Sequence, residues 1–421
     1  MVAQIGARRH YAVPRALVAT DMLDCLHTDA CADLAPWRWI KKWPGSFRTD
    51  AIQHVLDRHV NGVPAKSIRC DLGFVLLNRF GPQRRRPGES NIQHWLRQNR
   101  LFCERCVRRG FGTANSVYVY NGAGLEILQS ARRGGLFSVV DQTSAAMRWD
   151  AKLLMEEAER WPDWATPEDS VEGWEEMSKR EEEEWQLADR IICGSRYVAD
   201  TIKAVGGPVE KCRVVPYGYG EEKDKSGNLK PEKDKNQKAE SLNDCVSAPA
   251  SGFRSHPSSL SARPLRVLFV GTLCLRKGIP YLCEVMGLLK DDKIQFRIVG
   301  PSHTTEQGVS SLRQFAEVVG SIPRSALAEH YEWADVLVLP SLSEGSANVC
   351  HEAASHGIPM IITPNAGFAL ENGMAGSIVP IRSPTAIAEA LRKTTIRARP
   401  PRSATVTQLD DSAQAFVNAL A

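Results

Sequence analysis

The chain has 421 residues, 43% of them hydrophobic, so it is long enough to bury two hydrophobic cores. Its formal net charge of +4 is too small to indicate nucleic-acid binding, and we expect no nucleic-acid partner. The eleven cysteines are irregularly spaced, and Cys103 and Cys106 lack a second pair that would complete a zinc site. We therefore expect a cytoplasmic protein with reduced thiols, no signal peptide and no membrane-spanning helix.

Short apolar runs alternate with helical patterns before residue 220. Strands are predicted at 2–5, 116–120, 137–140, 190–193 and 213–215. Helices are predicted at 11–23 and at 181–187, the latter docked through Trp185 and Leu187. This alternation is typical of a parallel sheet covered by helices on both faces, so we assign residues 1–220 to a first Rossmann-like domain.

A change of composition follows at residues 221–264. This segment is rich in Lys, Glu, Asp, Ser and Pro and has few large apolar residues. Such a composition cannot offset the entropy lost on ordering the chain. We predict a disordered linker or an inserted surface loop.

The alternation resumes after the linker. Strands are predicted at 265–270, 295–299, 336–339 and 360–363, and helices at 280–289, 310–319, 325–333, 347–356 and 383–391. We assign 265–395 to a second doubly wound domain and 396–421 to a tail with a helix. Ligands of such domains bind at the carboxyl ends of the strands.

Two adjacent cations follow the first strand of this second domain. Arg276 and Lys277 lie in a loop between Gly271 and Gly278, directly before a predicted helix. Main-chain amides, the helix dipole and the two cations together suit a diphosphate. A pair of solvent-exposed basic residues is the alternative interpretation.

Two acids follow another strand of the same domain. Glu344 comes after the strand at 336–339, and Glu352 lies eight residues later in a predicted helix. Eight helical residues rise about 12 Å, enough for the acids to reach two parts of one extended ligand. Carboxylate oxygens accept hydrogen bonds from vicinal hydroxyl groups, as on a sugar or a ribose. The alternative is a helix cap and an unrelated surface acid.

Together these motifs resemble the family 4 retaining glycosyltransferases of the GT-B fold. The resemblance rests on G-x4-R-K-G after a strand and on E-x7-E after another, and it is strong over 265–380. It implies two Rossmann-like domains facing across a cleft, the N-terminal one binding the acceptor and the C-terminal one the donor. It also implies transfer of a hexosyl-type group with retention, with no metal and no cofactor.

The resemblance implies a role for each matching residue. Arg276 and Lys277 would hold the donor diphosphate and stabilise the leaving nucleoside diphosphate, while Glu344 would contact the donor sugar and Glu352 the ribose. Main-chain groups would line the sugar and phosphates, namely those of Gly6, Gly271, Gly345, Ser346, Ala347 and Asn348. We assign the catalytic role to Arg276, Lys277 and Glu344.

The chain departs from the family pattern at three points. Thr272 stands where members often have arginine, Ser346-Ala347 replaces the usual second glycine, and Asp141-Gln142 stands where many members have histidine. These departures keep open a non-catalytic nucleotide-sugar-binding protein or a degenerate partner subunit. A sugar-nucleotide epimerase or phosphorylase on the same fold is a further alternative. A nicotinamide dehydrogenase is disfavoured because Ile127 replaces the third glycine of its fingerprint.

The expected acceptor is a glycan, a lipid-linked molecule or a small molecule, in polysaccharide or glycoconjugate biosynthesis. Arginines are clustered at 84–86, 105–109 and 132–133. Such clusters usually form a solvated surface, but they also suit an anionic membrane. Peripheral contact at the inner face of the membrane is therefore a further hypothesis.

Overall fold

The computed structural model describes residues 1–34, 39, 56, 58–71, 73–75, 85–166, 173–216, 263–370, 374–396 and 417–418. These residues form two parallel β-sheets. The predicted 221–264 segment lies between the sheets and outside the described residues, apart from Arg263 and Pro264. Of the predicted tail, Ile396 and the helical pair Val417 and Asn418 are described.

The first sheet lies before residue 216. Its strands are β1 (Val2–Gln4), β2 (Leu26–Thr28), β3 (Ile68–Cys70), β4 (Ser116–Tyr120), β5 (Phe137–Gln142), β6 (Arg190–Cys193) and β7 (Cys212–Val214). Their order is β3-β2-β1-β4-β5-β6-β7, and all neighbours are parallel. The order reverses between β1 and β4, so these strands border the topological switch point of the sheet.

Helices connect these strands. They are α1 (Ala12–Ala19), α2 (Asn91–Arg109), α3 (Leu125–Arg133), α4 (Met147–Arg160), α5 (Trp174–Leu187) and α6 (Arg196–Ala204). The predicted docking of α5 through Trp185 is confirmed, because its ring is buried and its Nε1 donates to Gln142. Cys103 and Cys106 are buried in the core on α2, where they pack as small apolar side chains.

The second sheet has six described strands. They are β8 (Leu265–Val270), β9 (Ile294–Val299), β10 (Ala316–Gly320), β11 (Val336–Leu339), β12 (Met360–Ile362) and β13 (Gly376–Ile378). The order is β10-β9-β8-β11-β12-β13, all parallel, with the switch point between β8 and β11. All four residues of β11 are apolar and buried, as expected of a central parallel strand. The helices are α7 (Ile279–Leu288), α8 (Glu306–Arg313), α9 (Leu327–Trp333), α10 (Asn348–Ser355) and α11 (Pro384–Lys393).

The predicted helix at 310–319 is wrong. Helix α8 begins earlier, where the Thr305 hydroxyl caps it by accepting the Gly308 N–H, and it ends at Arg313. The following residues form β10, which pairs with β9 at the edge of the sheet. Val318 and Val319 favour this extended conformation because β-branched side chains pack well on a sheet.

Helix α4 of the first domain lies against the second domain. Its Asp150 accepts a hydrogen bond of 2.5 Å from the Ser343 hydroxyl. Two helical turns later, Glu157 accepts hydrogen bonds from the Tyr281 hydroxyl at 2.7 Å and from Arg382 Nε at 2.5 Å. This helix therefore carries polar groups of the first domain to the loop after β11, to α7 and to the residues that follow β13.

Candidate functional site

The predicted cations and the first acid lie in the loops that follow β8 and β11, the two strands that border the switch point of the second sheet. Arg276 and Lys277 form a 3-10 turn after β8, and Glu344 follows β11. Gly278 ends this turn with φ +70°, and a Cβ there would overlap the Pro340 carbonyl group. A glycine is thus needed for the loop after β8 to pack against the end of β11, which brings the two loops together.

Both cations contact the Glu344 carboxylate. Lys277 Nζ forms an ion pair with one carboxylate oxygen, and Arg276 Nη1 lies 3.4 Å from the other. Arg276 also donates to the Ser343 carbonyl at 3.0 Å. The Ser341 hydroxyl donates to Glu344 at 2.9 Å. The structure therefore brings together the three residues that the sequence assigned to catalysis.

The two cations decide the charge state of Glu344. Glu344 is 7% exposed, and burial opposes its ionisation, but Lys277 and Arg276 outweigh burial and hold its pKa below the usual value. The Glu344 charge in turn raises the pKa of Arg276. The Arg276 side chain remains 36% exposed, so part of it is accessible to a ligand in addition to Glu344.

The second predicted acid, Glu352, lies on α10 with different partners. One of its carboxylate oxygens accepts from the Tyr331 hydroxyl at 2.6 Å, and the other from Arg324 at 3.0 Å. Tyr331 is buried on α9, whereas the Arg324 side chain is about half exposed. Glu352 is thus held by one fixed neutral donor and one more accessible cation.

The segment between the two acids is pressed against the first domain. A Cβ at Gly345 would overlap the Thr143 carbonyl oxygen, and the Gly345 carbonyl accepts from the Ser195 hydroxyl at 2.5 Å. The Ser346 hydroxyl lies 3.2 Å from His351 Nε2. The Ala347 N–H donates to the Ala366 carbonyl. Asn348 is the first residue of α10.

The main-chain N–H groups of the remaining two predicted glycines, Gly6 and Gly271, form hydrogen bonds within their own domains. The Gly6 N–H donates to Asp29 at 2.8 Å in the loop after β1, with φ +71°. The Gly271 N–H donates to the Val299 carbonyl as an extension of the β8–β9 pairing. Both N–H groups therefore donate to acceptors of the protein. That these glycines line the donor phosphates stays a prediction.

Sequence reasoning missed Asp150, an acid that the first domain contributes to this site. Burial raises its pKa to about 6, opposed by the Ser343 hydroxyl and the nearby Arg276 charge. A signal was available, because Asp150 and Glu157 lie on the same helical face as Met147 and Leu154, where a soluble helix normally carries apolar residues. An acid at such a position indicates a buried polar partner.

The two residues at the position of the family histidine are both buried. Asp141 accepts from the Tyr118 hydroxyl at 2.7 Å and from Arg9 at 3.1 Å. The Gln142 amide donates to Glu181 at 2.8 Å and to the Ser144 carbonyl. Asp141 therefore faces the loop after β1, and Gln142 faces α5.

The described residues contain no group of three or more His, Cys, Asp or Glu placed to hold a metal ion. A search of the same residues for a helix long and apolar enough to cross a bilayer gives none. Arg105 and Arg109 of the basic clusters both pair with Asp71, at 2.6 and 3.3 Å. Arg84 lies outside the described residues.

Solved structures resemble the whole chain. Sucrose-phosphate synthase from Thermosynechococcus elongatus has a TM-score of 0.56 at 17% identity, covering 100% of this chain and 94% of that chain. Anabaena HepE in complex with UDP has a TM-score of 0.50 at 13% identity, covering 99% and 93%. The protein has a GT-B fold. The predicted fold class is confirmed, and at these identities the likeness extends to the fold alone.

The C-terminal GT-B domain also matches at the level of sequence. Residues 264–395 match the family model described as "Glycosyl transferases group 1". The D-inositol 3-phosphate glycosyltransferase of Geodermatophilus obscurus is 33% identical, over 30% of this chain and 32% of that protein. The putative teichuronic acid biosynthesis glycosyltransferase TuaC of Bacillus subtilis is also 33% identical, over 30% and 32%. The chain thus spans about a third of the length of these curated relatives.

Proposed function

We propose that the protein is a glycosyltransferase of the retaining, family 4 type. It would move a hexosyl-type group from a nucleotide-sugar donor to a glycan, a lipid-linked molecule or a small molecule, in polysaccharide or glycoconjugate biosynthesis. The family match over 264–395 and the named glycosyltransferase relatives support this proposal. The observation that carries it is the convergence of Arg276, Lys277 and Glu344 at the switch point of the second sheet.

The two cations suit the chemistry of the leaving group. During transfer, the bond from the anomeric carbon to the diphosphate oxygen breaks, and the acceptor oxygen forms the new glycosidic bond. The acceptor hydroxyl loses its proton, and the nucleoside diphosphate departs with additional negative charge. Arg276 and Lys277 are held beside Glu344 and would stabilise that charge where it develops.

Glu344 would have a second role in the same step. A bound diphosphate competes with Glu344 for the N–H donors of Lys277 and Arg276. The carboxylate oxygens would then become available to the hydroxyl groups of the donor sugar. The Ser341 hydroxyl, which donates to Glu344 at 2.9 Å, keeps the carboxylate in place during this exchange.

Glu352 would bind the ribose of the donor. Its two oxygens are oriented by Tyr331 and Arg324, and each retains a further lone pair for a ribose hydroxyl. Gly345 to Asn348 lie between the two acids at the start of α10, where a helix N-terminus favours an anion. The donor would therefore extend from Glu344 to Glu352.

The proposal is tested by binding and turnover together. A thermal-shift screen against nucleoside diphosphates and nucleotide sugars should raise the melting temperature for the matching base, because the ligand binds only the folded state. An assay for released nucleoside diphosphate should then show turnover that depends on an acceptor. No shift with any nucleotide would contradict the donor site.

A non-catalytic nucleotide-sugar-binding protein is the second candidate. Thr272 and Asp141 stand where many family 4 members have arginine and histidine, and Asp141 is paired with Arg9. This candidate predicts the same thermal shift but no release of nucleoside diphosphate. An epimerase would interconvert the nucleotide sugar without releasing the diphosphate, so the same assay separates it.

Peripheral contact with an anionic membrane through the arginines at 84–86 and 105–109 stays a proposal. Its support is reduced because Arg105 and Arg109 are paired with Asp71. Flotation with vesicles of neutral and anionic lipid tests it. Binding that does not increase with the anionic fraction contradicts it.

A further inference from the structure

The buried acid Glu181 on α5 binds the loop that follows β5. Glu181 is 1% exposed. One of its carboxylate oxygens accepts hydrogen bonds from Asn121 Nδ2 at 2.9 Å and from Gln142 Nε2 at 2.8 Å. The other oxygen accepts the Met147 N–H at 2.7 Å. Glu181 therefore joins the carboxyl ends of β4 and β5 to the first residue of α4.

The partners of Glu181 suit an ionised carboxylate. They are N–H groups, which donate to a carboxylate but cannot accept the proton of a carboxylic acid. Burial raises the pKa of Glu181 to about 7, and the bonds from Met147, Gln142 and Asn121 oppose this rise. A buried charge is stable only when it is hydrogen-bonded, so the ionised acid holds all three donors in place.

A chain of hydrogen bonds leads from Glu181 to the second domain. Because Asn121 Nδ2 donates to Glu181, its Oδ1 faces Thr143, where it accepts the N–H at 3.2 Å and the hydroxyl at 2.9 Å. The Thr143 carbonyl is the group that a Cβ at Gly345 would overlap. The orientation of one buried amide thus sets the main chain that Gly345 touches.

A second path to the same loop runs through α4. Glu181 accepts the N–H of the first residue of this helix, and Asp150 lies about one turn later. The Ser343 hydroxyl donates to Asp150 at 2.5 Å. Ser343 and Gly345 are the two neighbours of Glu344 in the chain. Both neighbours are therefore held by elements of the first domain that Glu181 binds.

We propose that Glu181 is a positioning residue for the transfer reaction. It fixes the loop after β5 and the start of α4, and these two elements hold the segment that carries Glu344 from both sides. Its hydrogen bonds to described residues stay within the first domain, so it acts through Thr143 and Asp150 and not by touching the donor. This inference rests on the proposed function, because it concerns the same Glu344.

Two variants interrupt the chain at different points, and both are measured at pH 8, where Glu181 is ionised. Glu181→Gln keeps one oxygen for the two side-chain amides but turns its own NH2 group towards the Met147 N–H, so this bond is lost. Asn121→Ala leaves Glu181 in place and removes the bonds to Thr143. Asn121→Ala keeps the test decisive if Glu181→Gln fails to fold.

The matched control is Asp189→Ala. Asp189 also holds β5, but at the opposite end of the strand, where its carboxylate accepts the Ser138 N–H at 2.8 Å and the Ser138 hydroxyl at 2.9 Å. The control should lower the melting temperature as the two chain variants do, because it leaves the donors of the buried Ser138 unpaired. It should not change kcat.

The activity arm measures nucleoside-diphosphate release from UDP-glucose, UDP-galactose, UDP-N-acetylglucosamine and GDP-mannose. In Glu181→Gln and Asn121→Ala, kcat should fall about tenfold or more, because misplacement of a group at the reacting centre slows the chemical step. The donor KM should stay within about threefold of wild type, because the proposed donor contacts lie in the second domain. Added to Gly345→Ala, Glu181→Gln should lower kcat by less than about twofold further, because both changes open the same contact.

The exchange arm needs no substrate. Deuterium uptake by the main-chain amides of residues 341–347 should rise in both chain variants and stay at the wild-type level in Asp189→Ala. This arm decides the question if the wild type binds a nucleotide but turns over none of the four donors.

Unchanged exchange at residues 341–347 in both chain variants overturns the inference and leaves Glu181 a role in stability alone. The same holds if the control loses as much kcat as the chain variants, or if the effects of Glu181→Gln and Gly345→Ala on kcat multiply. Absence of any nucleotide binding by the wild type contradicts the proposed function, and the role of Glu181 in transfer with it. Turnover by the wild type with unchanged kcat in both chain variants contradicts this inference alone.

Discussion

Gly345 of the C-terminal domain lies directly on the main chain of Thr143 in the N-terminal domain, with no room for a Cβ between them. Next to this contact, the Ser195 hydroxyl donates to the Gly345 carbonyl at 2.5 Å. The glycine between Glu344 and the start of α10 is therefore one of the points where the two domains touch beside the proposed donor site. Closure of the domains would exclude water from the transfer step.

Gly345→Ala should impair turnover more than it impairs donor binding. The added Cβ meets main-chain atoms that cannot rotate away, so the contact opens at a cost of about 1–3 kcal/mol. We expect turnover to fall about tenfold to a hundredfold, with the Kd of the nucleoside diphosphate within about threefold of wild type. Nucleoside-diphosphate release and thermal shift measure the two quantities.

The control for this change is Gly287→Ala on α7. A Cβ there would meet no atom within 4 Å, and alanine is the better helix former. This variant should be more stable by about 0.5–1 kcal/mol, with unchanged turnover. Full activity of Gly345→Ala would show that the Thr143 contact is not needed for transfer.

Replacing both Arg276 and Lys277 with alanine should reduce turnover on the order of a hundredfold or more, because the departing diphosphate loses its fixed cations. The same change leaves Glu344 buried with Ser341 as its remaining described partner. An unpaired buried carboxylate destabilises a protein by about 3–5 kcal/mol, so the melting temperature should fall as well.

Adding Glu344→Gln to this double variant separates the two effects. The neutral amide removes the buried charge and should recover most of the lost stability without recovering turnover. The melting temperature and the rate of nucleoside-diphosphate release check this. Turnover of the double variant within threefold of wild type would count against the electrostatic role of the cations.

Glu352→Ala should raise the KM for the nucleotide-sugar donor about tenfold and change kcat little, because a ribose contact is equally present in the ground state and the transition state. Arg324 can turn to solvent from its exposed position, but the buried Tyr331 hydroxyl loses its bond to Glu352, so the free energy of unfolding should fall by about 1–3 kcal/mol. Initial rates at varied donor and acceptor concentrations measure the effect. If only the acceptor kinetics change, the ribose assignment of Glu352 is wrong.

The raised pKa of Asp150 predicts that its contribution to the free energy of unfolding falls as the pH rises, the opposite of the usual behaviour of a carboxylate. Its pKa is raised by burial from 3.8 to about 6, so the folded protein holds this proton more tightly than the unfolded chain does. The contribution of Asp150 to stability is then fully present below about pH 4, is lost between about pH 4 and pH 6, and is constant above. Asp150→Asn should remove this loss and be more stable than wild type above pH 6 by up to about 3 kcal/mol.

The measurement is the difference in unfolding free energy between Asp150→Asn and wild type from pH 4 to pH 7.5. Taking the difference cancels the other titrating groups. A difference that stays constant across this range contradicts the raised pKa. Asparagine retains an oxygen for the Ser343 hydroxyl, so the contact between α4 and the second domain is preserved.

Much of the C-terminal half follows from local sequence patterns. The apolar run of β11 predicts a buried parallel strand, and the glycines around Arg276 and Lys277 predict a turn at a strand end. These features depend on residues within about ten positions of one another. The sequence therefore predicts the loops that carry Arg276, Lys277, Glu344 and Glu352, and the structure places the first three in contact.

Local patterns fail where an element is short or lies at an edge. Strands of three residues are too short to show a period of two: β2, β3 and β13 were not predicted, whereas the equally short β1, β7 and β12 were. The edge strand β10 has one neighbour and half-buried valines, and its pattern merges with that of α8. Its pairing with β9, which the β-branched Val318 and Val319 favour, decides that it is extended.

The sequence alone determined that the chain forms two doubly wound α/β units and which loops present cations and acids. Only the tertiary structure decided that Asp150 reaches Ser343, that Gly345 meets Thr143, and that Gln4, Tyr120 and Asp141 lie side by side. The physical reason is that crossover connections align parallel strands that are far apart in the chain. Gln4 and Asp141 are separated by 137 positions in the chain, and Asp150 and Ser343 by 193, so no local periodicity links them. They meet because the packing of the sheets and of α4 brings them together.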